Sequence, residues 1–144
     1  MKKTFILLYI SLILLSCQKE ENNKIYEYQV LPSENAFKPF SCFGEKRTIT
    51  VTIIQKTLID DILDSEVPII PKEVLVEFDK ALFSDVETKV EGGQVILNIT
   101  SNINKEDKML NGDLQISYST INGIKVEKIP LIIDKGKLTF VYKI

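Results

Sequence analysis

The sequence predicts an all-β domain that folds as an antiparallel β-sandwich. Apolar and polar residues alternate with a period of two along most of the chain, as they do in strands with one buried and one solvated face. Turn dipeptides that contain glycine separate these runs at regular intervals. The two features together favour a pair of packed sheets over a helical bundle.

Five runs carry the alternation. The clearest extends from Lys46 to Gln55, with Thr48, Thr50 and Thr52 on the face opposite its apolar residues. In every run one face therefore suits a core and the other suits water. The apolar positions are Ile49, Val51 and Ile53; Val74, Val76 and Phe78; Val95, Leu97 and Ile99; Leu114, Ile116 and Tyr118; and Leu138, Phe140 and Tyr142.

The apolar faces of these strands are expected to meet in one core. A shift of register by one residue reverses every side chain of a strand, so the prediction is specific to each position. The residues predicted to point inward are Val51, Val76, Leu97 and Ile116, with Phe140 closing the core from the last strand. The residues predicted to face outward are Thr50, Gln94, Gln115 and Thr139.

Glycine and proline mark the predicted boundaries of the strands. Asn-Gly is the strongest short-range hairpin signal. Pro130 cannot donate to a β-ladder, so the run around it predicts an edge strand, a bulge or a switch between sheets. Strands of about six to ten residues at this spacing are typical of an immunoglobulin-like sandwich. The turn dipeptides are Gly92-Gly93, Asn111-Gly112, Asn122-Gly123 and Lys135-Gly136.

One segment departs from the alternation. Between Thr57 and Asp64 the apolar residues fall at positions 58, 59, 62 and 63, the spacing of one helix face. Thr57 and Asp60 are placed as a capping box requires. The segment is predicted to be one short helix, and the alternative is a loop whose apolar residues close one end of the sandwich.

The first residues have the three-part layout of a secretory signal peptide. Lys2 and Lys3 form a basic start, and a run of eleven residues from Phe5 to Leu15 follows, apolar but for one serine. As a helix, these eleven residues reach about 16 Å, which is shorter than the roughly 30 Å core of a bilayer. Residues 1–16 are therefore predicted to be a signal peptide that is removed.

The motif Leu14-Leu15-Ser16-Cys17 resembles the lipobox of bacterial lipoproteins, with leucine at −3, a small residue at −1 and cysteine at +1. The resemblance implies cleavage before Cys17, a diacylglyceryl thioether on its sulfur and a further acyl chain, such as palmitate, on its new amino group. One acyl chain gives marginal membrane binding, whereas two or three hold a protein permanently.

Residues 17–24 are predicted to be a polar, solvated tether between the lipid and the fold. Within them, Lys19-Glu20-Glu21 resembles the surface-export signal of some Gram-negative lipoproteins. This resemblance implies an outer-membrane location with display on the cell surface. The alternative is an ordinary charged tether that leaves the protein on the periplasmic face.

The mature chain has the size and charge of a single ordinary domain. Without the leader 128 residues remain, and residues 25–144 are predicted to form one sandwich. Loss of Lys2 and Lys3 changes the formal net charge from −2 to −4. Both signs are spread along the chain and no basic cluster occurs, so a nucleic-acid partner is not expected.

The composition argues against an enzyme. The chain contains no histidine, which excludes Ser-His-Asp and Cys-His arrangements and histidine-bearing zinc sites. No glycine loop has the lysine or the context needed to hold a phosphate. A glycosidase with two carboxylates needs an enclosed cleft, for which a small sandwich leaves little room. No catalytic residue and no cofactor are predicted.

The remaining candidates for chemistry have simpler explanations. The acidic residues Asp60, Asp61, Asp64 and Glu66 carry the oxygen ligands that calcium prefers, but an exposed polar face is the favoured interpretation and no metal is predicted. Cys42 lies between phenylalanines, and with Cys17 occupied by lipid it is left without a disulfide partner. It is predicted to be a small buried apolar residue.

Tyr26 and Tyr28 fall on one face of a strand and are the candidate ligand-stacking residues for a sugar. The alternative is that they pack in the core, which is the commoner role of tyrosine in a chain without tryptophan. Stacking would require both rings to be exposed and coplanar.

From about residue 46 onward the chain is similar to the BACON-type domains of bacterial lipoproteins and polysaccharide-utilisation proteins. The similarity lies in Arg47–Thr52, Val95–Ile99 and Gly112–Ile116. That family usually carries a tryptophan after its early strand, which this chain lacks. The resemblance implies an immunoglobulin-like fold.

The expected function is that of a membrane-anchored, non-enzymatic binding or scaffolding module. One alternative is a carbohydrate-binding accessory of a glycan-uptake system, with a glycan as partner. The other is an interaction protein of the envelope, such as an adhesin subunit or an inhibitor. An exposed apolar or acidic patch on loops would favour this last alternative.

Overall fold

The computed structural model describes residues 22–136, and this part of the chain is built from eight strands and one 3₁₀ helix. The strands are β1 (Lys24–Pro32), β2 (Lys46–Ile59), β3 (Ile62–Ile69), β4 (Val74–Phe78), β5 (Phe83–Glu91), β6 (Gln94–Ser101), β7 (Leu110–Thr120) and β8 (Gly123–Ile133). The 3₁₀ helix spans Glu34–Phe37, between β1 and β2.

Two antiparallel sheets form the sandwich. The larger sheet has the order β1-β2-β6-β5, with β3 paired to β2, and the smaller sheet has the order β4-β7-β8. If β3 is set aside, this is the arrangement of a constant-type immunoglobulin domain, in which four strands face three. The predicted all-β, immunoglobulin-like sandwich is therefore confirmed.

Strand β2 is long enough to pair with three neighbours. Its last nine residues pair with β1 along one edge. Along the other edge its first half pairs with β6 and its second half with β3. The larger sheet consequently continues past the end of the smaller one, because the turn between β7 and β8 reaches only Tyr26 and Tyr28. We call residues 24–26 and 57–65 the overhang. The end of the sandwich at which the overhang lies is called the tether end.

The core lies where the registers predicted it. Val51, Leu97 and Ile116 are buried, and Val76 packs against them from the smaller sheet. Gln94 is exposed, while Thr50 and Gln115 are half-buried on the outer faces. Aromatic edges add to the packing, since the rings of Phe40 and Phe83 meet edge-on at 5.8 Å between their centres. The predicted last strand, with Leu138, Thr139, Phe140 and Tyr142, lies outside the described residues.

The predicted short helix at 57–64 is wrong. These residues form the end of β2, a two-residue turn and the start of β3. Asp60 and Asp61 have φ angles of 52° and 64°, as the central residues of a type I′ turn do, and aspartate tolerates this conformation well. The turn pairs Leu58 with Leu63 and Ile59 with Ile62. A tight hairpin therefore produced the same apolar spacing that a helix face would show.

The predicted turn at Asn111-Gly112 is also wrong, because both residues lie within β7. Glycine occupies position 112 because of packing and not because of a turn. A Cβ at this position would collide with the Leu82 side chain. The other two dipeptides within the sandwich are turns as predicted. Gly92 and Gly93 have positive φ angles of 59° and 80°, and Gly123 has one of 106°.

Pro130 lies on β8, which is an edge strand within the described residues. An edge strand was one of the three predicted alternatives. Within the described part of the chain, β8 pairs with β7 on one side only. On its other side a single parallel bridge joins Phe40 to Ile133. The Phe40 amide donates to the Ile132 carbonyl at 2.7 Å, and the Asp134 amide donates to the Phe40 carbonyl at 2.8 Å.

Two long connections, residues 33–45 and 102–109, close the end of the sandwich opposite the overhang. We call this end of the sandwich the loop end. Arg47 organises the first of them. Its guanidinium donates to the backbone carbonyls of Asn35, Lys38 and Pro39 at 2.6–2.9 Å. It also donates to both carboxylate oxygens of Glu45, at 2.7 and 2.9 Å. These charge-assisted bonds fold the connection into a fixed shape.

Asn104 plays the same part in the second connection, where its side chain is buried. Its amide nitrogen donates to the carbonyls of Lys108 and Asp134 at 2.8 and 2.9 Å, and its amide oxygen accepts from the Glu106 backbone. Every donor and the acceptor of this buried side chain thus has a partner, as burial requires. Cys42 is buried nearby, as predicted.

Candidate functional site

Two clefts open side by side at the tether end, where the connection between β3 and β4 meets the β7–β8 hairpin. One has a volume of about 420 Å³ and lies between Tyr28 and Gln55 on the larger sheet and Lys72 and Ile121 on the connections. The other has a volume of about 390 Å³ and lies on the outer face of the smaller sheet. Volumes of this size are in the range of ligand and side-chain pockets. The clefts meet at Ser119, which lines both.

Local sequence explains the shape of both walls. Ile121 and Asn122 form a tight turn that ends at Gly123, whose positive φ angle of 106° suits glycine. The Thr120 hydroxyl fastens this turn by donating to the Gly123 carbonyl at 2.7 Å and by accepting from the Asn122 amide at 3.1 Å. The turn therefore holds Ile121 outward on a rigid support.

Four aliphatic side chains surround the clefts and are exposed to solvent. They flank the small Ser117 and Ser119 side chains, so the surface between them is a depression. Large apolar residues with this exposure, grouped together, are typical of interaction surfaces. We call the group the apolar rim, and its exposed fractions are 63% for Ile70, 60% for Leu75, 71% for Ile121 and 79% for Ile124.

A tyrosine pair forms the floor beneath the rim. The rings of Tyr28 and Tyr118 meet edge-on, with 6.5 Å between their centres. The Tyr28 hydroxyl donates to Gln55 Oε1 at 3.2 Å, and the Tyr118 hydroxyl donates to Glu127 Oε1 at 2.7 Å. Burial, together with the Glu127 carboxylate, raises the pKa of the Tyr118 hydroxyl above its ordinary value. The Tyr118 hydroxyl is thereby held as a neutral donor in the floor.

The stacking candidates Tyr26 and Tyr28 are both half-buried on the inner face of β1. Tyr28 has the edge contact and hydrogen bond of a packed residue. The backbone carbonyl of Tyr26 accepts a hydrogen bond from the Asn122 side chain at 3.2 Å. These contacts are those of the core-packing alternative. The surface around them is aliphatic, which gives a sugar little to stack on.

The acidic residues of the β2–β3 hairpin are spread out. Asp60 and Asp61 occupy the turn, while Glu66 lies on β3 with its carboxylate 4.0 Å from the Lys56 ammonium. Within residues 22–136, no three acidic or cysteine side chains come together as a metal site would need. The lipidation candidate Cys17 and the export candidates Lys19, Glu20 and Glu21 lie outside the described residues.

The apolar rim was not predicted from the sequence. Ile121 and Ile124 flank an Asn-Gly turn and look like the ends of two ordinary strands. Only the pairing of the strands shows that Ile121 lies in the turn and Ile124 on the outer face of β8. An isoleucine inside the turn itself, at position 121, was the one available signal, because turns favour polar residues.

No protein-family model, curated protein sequence or solved structure matches the chain, so its function must be argued from this geometry. Among the described residues, no helix has both the length and the apolar character needed to cross a membrane.

Proposed function

We propose that this chain is a lipid-anchored, non-enzymatic interaction module of the bacterial outer membrane, and that the apolar rim binds a protein partner. One observation carries the proposal: Ile70, Leu75, Ile121 and Ile124 converge, exposed, around two clefts that meet at Ser119. Such a surface supplies apolar anchor points beside pockets that can receive a partner's side chains.

The chemistry of the rim supports a protein partner over a glycan. Sugar sites present flat aromatic rings, whereas the rim is aliphatic and the ring of Tyr28 turns its edge to Tyr118. The larger cleft combines apolar side chains such as Ile70 and Ile121 with polar ones such as Gln55 and Lys72. Protein interfaces mix apolar and polar groups in this way.

The anchor in this proposal is Cys17, acylated after removal of residues 1–16. The described chain begins at the tether end, so the rim lies on the side of the domain that the lipid holds toward the membrane. The partner is therefore expected to be another component of the same membrane surface. Lys19-Glu20-Glu21 is proposed to direct the protein to the outer face.

Site-specific photo-crosslinking in living cells tests the partner surface. A benzophenone amino acid at position 121 or 124 should give one discrete adduct with a second protein. The same group at Phe43, which is 72% exposed at the loop end, is the matched control and should not give it. Ile70→Asp in the chain carrying the probe should abolish the adduct. An adduct from position 43 but none from 121 or 124 would place the partner elsewhere.

The anchor and the display have separate tests. Cys17→Ser should abolish labelling with palmitate and prevent removal of the leader. Replacement of Lys19, Glu20 and Glu21 by alanine should leave labelling intact and protect the protein from protease added to whole cells. Equal digestion of this variant and the wild type would show that the three residues are only a tether.

A further inference from the structure

The chain enters the fold at the tip of the overhang. The Asp60 amide donates to the Asn23 carbonyl at 3.1 Å, and the Asn23 amide donates to Asp60 Oδ1 at 3.2 Å. These two bonds fix the start of the domain beside the β2–β3 turn. Asn23 is the sixth residue after Cys17, so the two Cα atoms lie at most about 22 Å apart.

Exposed aliphatic residues flank this turn. Leu58 on β2 is paired with Ile25 on β1 and with Leu63 on β3. The three side chains therefore form one apolar row on the outer face. On the opposite face Ile59 pairs with Ile62. Ile62 is 73% exposed and Leu63 is 54% exposed. Both faces of the same tip are thus apolar and open.

We propose that the overhang tip rests in the headgroup layer of the membrane that holds Cys17, with Ile62 and Leu63 in contact with lipid. This inference rests on the proposed lipid anchor. A groove on a protein covers one face of a hairpin and leaves the other in water, whereas a headgroup layer surrounds both faces. Contact depths of about 5–10 Å are usual for apolar side chains at this boundary, and the tip is within reach of the tether.

The charges of the tip define the depth and the kind of lipid. Asp60 and Asp61 form the apex, and carboxylates do not enter hydrocarbon, so the contact stays in the headgroup layer. The next row along the hairpin carries Lys56 and Glu66, whose charged groups lie 4.0 Å apart and remain in water. Acidic residues at the apex are repelled by anionic lipid. The tip is therefore expected to bind zwitterionic phospholipid, whose ammonium groups can pair with the carboxylates, more strongly than anionic phospholipid.

The chain contains no tryptophan, so a single introduced indole reports on one position against no background. The full mature lipidated chain is placed in phosphatidylcholine vesicles, in which part of the lipid carries a nitroxide near the headgroup end of an acyl chain. Leu63→Trp and Ile62→Trp are the probes, and Phe43→Trp at the loop end is the matched control. All three positions are exposed, so the fold is retained.

The probes at positions 62 and 63 should lose about half or more of their emission to the nitroxide, as expected for shallow burial. The control should lose almost none. Replacing part of the phosphatidylcholine by phosphatidylglycerol should reduce the loss at 62 and 63.

Two results would overturn the proposal. Equal quenching at positions 63 and 43 would mean that the tip does not meet the bilayer. A blue-shifted emission that the nitroxide does not quench would mean that another copy of the chain covers the tip. If Cys17 carries no palmitate, the proposed lipid anchor and the membrane contact of the tip fail together. If the chain is lipidated but the nitroxide does not quench positions 62 and 63, only the membrane contact of the tip is wrong.

Discussion

The guanidinium carbon of Arg47 lies 4.2 Å from the centre of the Phe40 ring. Phe40 is fully buried, so the arginine covers the core at the loop end while its donors fasten the backbone of residues 33–45. A cation over an aromatic face adds electrostatic attraction to this packing. Glu45 completes the arrangement, since it neutralises Arg47 and accepts from the Ser41 amide at 2.8 Å.

Glu45→Gln should destabilise the domain at neutral pH and matter less in acid. The hydrogen bond from Arg47 holds the pKa of the Glu45 carboxyl below its ordinary value, although partial burial opposes this shift. The ionised carboxylate therefore contributes its full stability above the ordinary pKa, and the contribution is lost as pH falls through the lowered value. The expected cost at pH 7 is about 1–2 kcal/mol, as for hydrogen bonds to a charged group.

Urea titrations of wild type and Glu45→Gln at pH 7 and pH 3 measure this difference. The two midpoints should approach each other at the lower pH. A difference that stays constant between the two pH values would mean that the charge of Glu45 plays no part.

Tyr118→Phe has the opposite pH dependence. The raised pKa of Tyr118 means that the hydroxyl stays neutral in the fold and ionises more readily once the chain unfolds. Its contribution is present below the ordinary tyrosine pKa of about 10 and is lost as pH rises toward the folded value. The variant should cost about 1 kcal/mol at pH 7, the typical value of one hydrogen bond.

Denaturant titrations at pH 7 and pH 11 test this expectation, with Tyr26→Phe as the control because Tyr26 lies on the inner face of β1 and is more exposed than Tyr118. The stability gap between wild type and Tyr118→Phe should narrow at pH 11. A gap that widens there would refute the proposed state of the Tyr118 hydroxyl.

Leu97→Ala and Gln115→Ala should differ sharply in stability. Leu97 is fully buried between the sheets, and large-to-small changes in packed cores cost about 2–5 kcal/mol. Gln115 lies on the outer face, where its amide reaches Glu77 at 3.2 Å, and surface changes usually stay within about 0.5 kcal/mol. Denaturant midpoints of the mature chain measure both. Small, equal effects would mean that the alternation of residues does not organise the core.

Gly112→Ala should cost about 1 kcal/mol, the low end of the usual penalty for overpacking, because Leu82 is half-buried and its terminal methyl group can move aside. The new Cβ would meet Leu82, which lies against the backbone of β7. Leu82→Ala removes that obstacle at a cost of its own. In a double-mutant cycle the two changes together should cost clearly less than their sum. Strict additivity would show that Gly112 is needed for another reason.

The sandwich could be predicted from the sequence because alternation and burial agree at each central strand. At the centres of β2, β6 and β7 the apolar residues that alternate are the buried ones: Ile49, Val51 and Ile53; Val95, Leu97 and Ile99; Leu114, Ile116 and Tyr118. The β2–β3 hairpin could not be distinguished from a helix in the same way. Leu58, Ile59, Ile62 and Leu63 meet across a turn of two aspartates, and both structures place such residues side by side.

The candidate site could not be predicted because it depends on where each sheet ends. The alternation around Ile121 and Ile124 is that of any strand, and only the structure shows that Ile121 lies in the turn and Ile124 on the outer face of β8, beside the two clefts. Asn111-Gly112 failed for a related reason: glycine serves a turn and a close contact equally well, and the contact with Leu82 comes from a distant part of the chain.

Cys42 makes the loop end a natural reporter of local opening. Cys42 is 7% exposed, and its carbonyl accepts a hydrogen bond from the Asn104 backbone amide at 2.9 Å. A bulky alkylating reagent therefore reaches the sulfur only when residues 33–45 move away. If reclosing is faster than the reaction, the alkylation rate divided by that of a free thiol equals the fraction of molecules open at that moment. The free energy of this opening can then be followed in the wild-type protein, without a substitution.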